Sequence, residues 1–160
     1  MKYFYKICVI GWFFIFASYS YPQDSGSIND ILNSAETFFK SLADKNFSYS
    51  WEFLSAKSKK AIIDDVYNAS KSSGTTYTHE QLWSDFKTNG LIARTYWNGF
   101  LKNFDPNIVL DKCIWEKVLH KENYALIVIR YQKSDAPFLL KMYKEDGAWK
   151  VGLIETFLKK

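Results

Sequence analysis

Between residues 28 and 104 the apolar side chains recur at helical spacing, whereas beyond residue 112 they alternate or run together as in strands. Ile28, Ile31, Leu32, Ala35, Phe38, Phe39, Leu42 and Ala43 follow a period close to 3.6, with Ser27 as N-cap and Asp44-Lys45-Asn46 as the stop. Phe47–Leu54 predicts a short second helix with Phe47, Trp51 and Leu54 on one side. Lys57–Ala69 predicts a third with Ile62, Ile63, Val66 and Tyr67 inward. Ser72 to Thr76 is a loop by composition. Thr78 and Gln81 make a capping box that opens a fourth helix burying Leu82, Trp83 and Phe86. Asn89-Gly90 is expected to end it, with the glycine in the left-handed conformation. In residues 91–104, Ile92, Tyr96, Trp97, Phe100 and Leu101 fit a helix, while Thr95 and Tyr96 also suit a strand.

After Asp105-Pro106 the pattern changes. Lys112–His120, Asn123–Gln132, Phe138–Lys144 and Trp149–Leu158 read as four strands, rich in Val, Ile, Tyr and Phe. The intervening turns are short enough for consecutive hairpins, so the sheet is an antiparallel meander. Phe138, Leu140 and Met142 share one face; Trp149, Val151, Leu153 and Phe157 share another, interrupted by Glu155. Ala125–Ile129 is apolar on both sides and belongs in the middle of the sheet. The fold class is α+β: N-terminal helices packed on a curved four-stranded antiparallel meander.

The first twenty residues stand apart. Lys2 and Lys6 form a basic head, Ile7 to Phe16 an apolar run, and Ser18 and Ser20 a small-residue exit before Tyr21-Pro22. This is the layout of a cleavable signal peptide at residues 1–20, followed by a polar linker at 21–27 and one domain at 28–160. The run is shorter than the ~20 apolar residues a spanning helix needs, so no stable membrane span is expected after cleavage. Cys8 lies inside the run, where it cannot carry a lipid anchor. Export, periplasmic or extracellular, is the expected destination. Loss of Lys2 and Lys6 lowers the formal charge from +4 to +2, and the remaining lysines are dispersed, which argues against a nucleic-acid partner. Cys113 would be the one cysteine left, read as a small buried hydrophobe with no disulfide.

Three short stretches carry a resemblance. Ala35-Glu36-Thr37-Phe38-Phe39 with Ala43-Asp44-Lys45-Asn46-Phe47 resembles the first helix and acidic turn of the nuclear transport factor 2-like superfamily. Ser50-Trp51-Glu52-Phe53-Leu54-Ser55 resembles the Trp-bearing second helix of its exported bacterial members of unknown function. Glu145-Asp146-Gly147-Ala148-Trp149-Lys150-Val151 resembles its final hairpin. The resemblance spans residues 28–160 and implies a cone of helices and curved sheet. It leaves function open, because the superfamily holds isomerases, dehydratases, assembly domains and binding modules.

Candidate chemistry is sparse. His79 and His120 are the two histidines, and both fall where solvent exposure is ordinary. His79-Glu80 lacks the second histidine of a zinc-protease helix, since Trp83 stands there, and no metal or cofactor is expected. Glu116, Arg130 and Glu155 are charges within apolar strands. They mark a wet face or, if turned inward, orient a ligand. Aromatic residues make up 19% of the chain, and Tyr96, Trp97 and Trp115, with Arg130, are the candidate pocket residues. The expectation is a non-catalytic exported domain that binds a small apolar ligand or an envelope protein. Two alternatives stand beside it: a ketosteroid isomerase-like enzyme using Glu116 or Glu155, and a self-associating module forming a homodimer. The sequons at Asn46 and Asn68 matter only in a host that glycosylates.

Overall fold

The computed structural model describes residues 25–157, so the expected leader at 1–20 and most of the 21–27 linker lie outside the described residues. Helices come first: α1 (Ser25–Ala43), α2 (Phe47–Glu52), α3 (Ala56–Ser72), α4 (His79–Lys87), α5 (Leu91–Leu101) and α6 (Pro106–Asp111). The strands follow as β1 (Cys113–Lys121), β2 (Tyr124–Tyr131), β3 (Phe138–Glu145) and β4 (Ala148–Gly152), and a short α7 (Leu153–Phe157) comes last. Each strand pairs antiparallel with the next, in the order β1-β2-β3-β4. The result is an α+β arrangement with a curved, unclosed sheet, as the periodicity switch near residue 105 predicts.

Local chemistry explains most boundaries. Thr78 Oγ1 accepts from the Gln81 N–H at 3.2 Å while Gln81 Oε1 accepts from the Thr78 N–H at 2.8 Å, a complete capping box for α4. Asn89, not Gly90, takes the left-handed turn, with φ +55°. Gly90 is instead the extended N-cap of α5 and is needed for space, because a β-carbon there would overlap the Asp85 carboxylate. That carboxylate caps α5 by accepting from the Ala93 N–H at 2.7 Å. Within residues 91–104 the helical reading holds, as α5 over Leu91–Leu101, and the Asp105-Pro106 pair opens α6, which periodicity did not reveal. There Asp105 Oδ1 accepts from the Asn107 N–H at 2.9 Å and Pro106 occupies the first turn, where its missing N–H costs nothing.

The core has two walls. Ile31, Ala35, Phe38, Phe39 and Leu42 bury one face of α1. Ala125, Ile127 and Ile129 of β2, Leu140 and Met142 of β3, and Trp149 and Val151 of β4 bury the inner face of the sheet. Phe47, Trp51, Ile62, Ile63, Leu82, Phe86 and Trp97 fill the helical layer, each fully removed from water or nearly so. Burying one such large apolar side chain stabilises the fold by about 1.5–3 kcal/mol. β2 lies inside the sheet, where its double apolar character belongs. Trp83 departs from expectation: it stays exposed and leans edge-on against Trp51, with ring centroids 5.5 Å apart. Ser27 lies within α1, two residues past its start, and so does not cap it.

The last element also differs. The expected strand Trp149–Leu158 ends at Gly152, and Leu153–Phe157 turns into α7; Leu158 lies outside the described residues. The cause is a tertiary partner that alternation cannot reveal. Glu155, only 9% exposed, accepts from Ser55 Oγ at 2.9 Å and from Ser58 Oγ at 2.5 Å. Ser58 Oγ in turn accepts from the Ile154 N–H at 3.1 Å, which satisfies a donor at the start of α7. Thr156 Oγ1 accepts from the Lys141 N–H at 3.0 Å and ties the same helix to β3. Because these hydroxyls are buried, Glu155→Ala leaves two donors without partners and should cost about 3 kcal/mol. The exposed-side control Glu116→Ala should cost about 1 kcal/mol or less. Urea unfolding with unchanged m-values measures both, and equal costs would contradict the assignment of Glu155 as the buried tie.

Candidate functional site

β1 is the one strand without a fully buried residue, although its inward positions carry Cys113, Trp115 and Val118. It is an edge strand; α6 packs against it, and Ile28 and Leu32 of α1 come near its inner side. Two hollows open there. One of 270 Å³ is lined by Leu32, Glu36, Leu110 and Trp115. The other, of 310 Å³, has Ile28, Leu32, Val118 and Ile127 around Trp115, with Glu116 and Lys117 bordering it. Leu32 and Trp115 line both, so the two hollows adjoin as a broken trough on either side of Trp115.

Trp115 is held rigidly. Its indole Nε1 donates to the Val109 carbonyl of α6 at 3.1 Å, and its ring stands edge-to-face on Phe39, with centroids 6.2 Å apart. With its one polar atom satisfied inside the protein, the rest of the indole presents apolar surface to the trough. A β-bulge between Trp115 and Lys117 leaves Glu116 without a cross-strand partner at this point. The bulge turns Glu116 to the outer side, where Arg130 Nε donates to its Oε1 at 2.5 Å. Glu36 is likewise committed, 2.6 Å from Lys40 on the same helix. Lys117 forms no ion pair among the described residues.

The four candidate pocket residues do not converge. Trp115 lines the trough. Trp97 is fully buried in α5, stacked on Phe47, and its Nε1 has no hydrogen-bond partner among the described residues. Tyr96 touches Trp97 edge-on but faces a separate open hollow of 410 Å³ between α3 and α5, with Val66, Tyr77, Leu91 and Ile92. Burial there pushes the Tyr96 phenol up to about 12. Arg130 lies on the outer face of the sheet beside Ile114, and its charge goes to Glu116 and the Asp135 carbonyl. Its guanidinium is held even further above its usual range by that hydrogen bond to Glu116.

The remaining candidates have structural partners. Both Glu155 oxygens accept from serine hydroxyls, and Glu116 is paired, so each of the two proposed acid/base carboxylates is already engaged. His79 stacks on Tyr67 with centroids 4.3 Å apart and lies 3.3 Å from Asp64, all on the helical surface. The Asp64 carboxyl sits below its usual range because Lys60 donates to it. His120 is half-buried near the end of β1. Cys113 opens the same strand half-buried, and burial raises its thiol pKa. Among the described residues no three of the His, Cys, Asp and Glu side chains gather as a metal site would require, and no helix is long and apolar enough to cross a membrane.

Sequence reasoning passed over Leu32 and Leu110. Leu32 reads as one more core position of α1, and only its place at the margin of the apolar stripe hinted that it borders an opening. Leu110 falls in α6, an element that periodicity did not predict. Comparison with family models, with curated proteins and with solved structures finds no match.

Proposed function

We propose that the chain is an exported member of the nuclear transport factor 2-like superfamily whose domain holds a small apolar ligand without chemically altering it. The trough centred on Trp115 carries this reading. It is a concave site on the open side of the sheet, with apolar side chains from four elements and an indole fixed by its own hydrogen bond. Helices preceding a curved antiparallel meander agree with the superfamily's layout, and the basic head, apolar run and small-residue exit of residues 1–20 support export. The engagement of Glu116 and Glu155 with protein partners favours binding over acid/base catalysis.

The neutral dye N-phenyl-1-naphthylamine tests the site. Leu32→Phe fills the trough and Trp115→Ala removes its wall, so each should weaken dye binding about tenfold or more. Leu139→Glu, on the outer face of the sheet, should leave it unchanged. Undiminished binding to folded Leu32→Phe would contradict the placement.

A second reading concerns that outer face. Ile114, Leu119 and Leu139 are exposed there, with Leu119 opposite Leu126 and Val128 opposite Leu139 across the ladder. These exposed apolar side chains, set among Arg130, Lys117 and Lys141, favour self-association. Intact mass and sedimentation of the protein recovered after export address both leader and assembly. The expected species lacks residues 1–20 and is a dimer that Leu139→Glu dissociates. A full-length mass would refute export by cleavage, and a monomer at high concentration would remove the dimer.

A further inference from the structure

The cross-strand register sorts the sheet into two faces. Trp115, Ile129 and Phe138 form one inward row, and Val118, Ile127 and Leu140 form the next, both within the core. The opposite face carries the rows Lys117–Val128–Leu139, Leu119–Leu126–Lys141 and Lys121–Tyr124–Tyr143–Lys150, with Ile114 beside Arg130 at one end. Ile114, Leu119 and Leu139 are 53%, 44% and 46% exposed there, so each leaves about half its surface to solvent. Tyr124 and Tyr143 lie side by side at the other end, with ring centroids 5.4 Å apart.

The charges on this face do not balance. Its two strand carboxylates are engaged within the protein: Glu116 accepts from Arg130 Nε at 2.5 Å, and Glu145 accepts from the Ala56 N–H at 2.9 Å. Lys150 is committed as well, donating to the Glu52 carbonyl at 2.7 Å. Lys117, Lys121 and Lys141 form no ion pair among the described residues. Glu122 lies past the end of β1, in the turn. What remains is an apolar surface interleaved with uncompensated cations and flanked by tyrosines, amphipathic side chains suited to a boundary between water and hydrocarbon.

We infer that this face docks on an anionic phospholipid bilayer, with Ile114, Leu119 and Leu139 entering the headgroup layer while Lys117, Lys121 and Lys141 meet lipid phosphates. Charge complementarity selects this occupant, because each lysine near a negatively charged leaflet adds to the attraction. A second copy of the chain would set the same lysines against their own images across a two-fold axis, so pairing between copies yields to lipid. The inference is independent of the trough, which opens on the other face of the sheet.

Flotation of the protein recovered after export with phosphatidylglycerol–phosphatidylcholine vesicles tests it. Binding should be about tenfold weaker or more with phosphatidylcholine alone, and should fall as salt rises. Lys117→Glu/Lys141→Glu should weaken it about tenfold or more, and Lys117→Arg/Lys141→Arg should retain it. Lys71→Glu/Lys87→Glu makes the same charge change on α3 and α4 and should shift binding about twofold or less. Leu119→Ser/Leu139→Ser should weaken it about fivefold, since affinity scales with buried apolar area. Equal binding to both vesicle types, or binding that survives Lys117→Glu/Lys141→Glu, would overturn the inference. Charge-dependent binding unmoved by Leu119→Ser/Leu139→Ser would replace the bilayer with a soluble polyanion. Wild-type protein that does not float would also overturn it, and a dimer in that case would give the face to a second copy.

Discussion

The start of α3 is where the helical and sheet halves of the chain are joined. A helix N-terminus presents N–H groups without internal partners, and here residues some ninety to a hundred positions downstream take part in satisfying or surrounding them. The Ser55 N–H donates to the Val151 carbonyl at 2.9 Å, and the Val151 N–H donates back to Phe53 at 2.7 Å, so residues 53–55 extend the sheet beside β4. The Ala56 N–H donates to the Glu145 carboxylate at 2.9 Å. Ser55 caps the Ser58 N–H, and both serines give their hydroxyls to Glu155. Two carboxylates at the positive end of a helix dipole are favourably placed, and both come from the last third of the chain. The β4 edge of the sheet is thereby closed.

That closure leaves β1 as the open edge, and the rest of the functional argument follows from it. α1 runs against β4 and α6, and the aromatic side chains beneath it pack into the helical layer. Phe39 contacts both Phe104 and Trp115, and Phe104 contacts Phe100 and Phe157. The high aromatic content therefore serves mostly as a thick core. Trp115 is a member of this network that reaches the margin, so it both packs on the core and faces a hollow. The Lys59 amine shows the opposite outcome near the closed edge. It lies 5.8 Å from the centre of the Trp51 ring, and burial lowers its pKa against the pull of Glu52.

Elements with strong local signals were legible in the sequence. The stripe of α1, the Thr78–Gln81 box and the alternating faces of β3 depend on nearest neighbours and on one buried side, so they can be read without knowing the partner. The expected strand after Gly152 failed because Leu153, Glu155 and Phe157 alternate by coincidence. Their conformation is set by Ser55 and Ser58, a hundred residues away. The site was legible only in Trp115. Tyr96, Trp97 and Arg130 are an aromatic or cationic residue in a plausible element, but whether such residues meet is decided by packing. Trp97 stacks inside the core, Tyr96 faces another hollow and Arg130 turns outward to Glu116.

The central claim is a location: the ligand sits between α1 and β1. Methyl and indole chemical shifts recorded by NMR while N-phenyl-1-naphthylamine is added test it most directly. The account predicts the largest changes at the methyls of Leu32, Leu110 and Val118 and at the Trp115 indole, with Leu91, Ile92 and Leu139 nearly still. Changes centred on Leu91 and Ile92, or on Leu139 and Ile114, would contradict it.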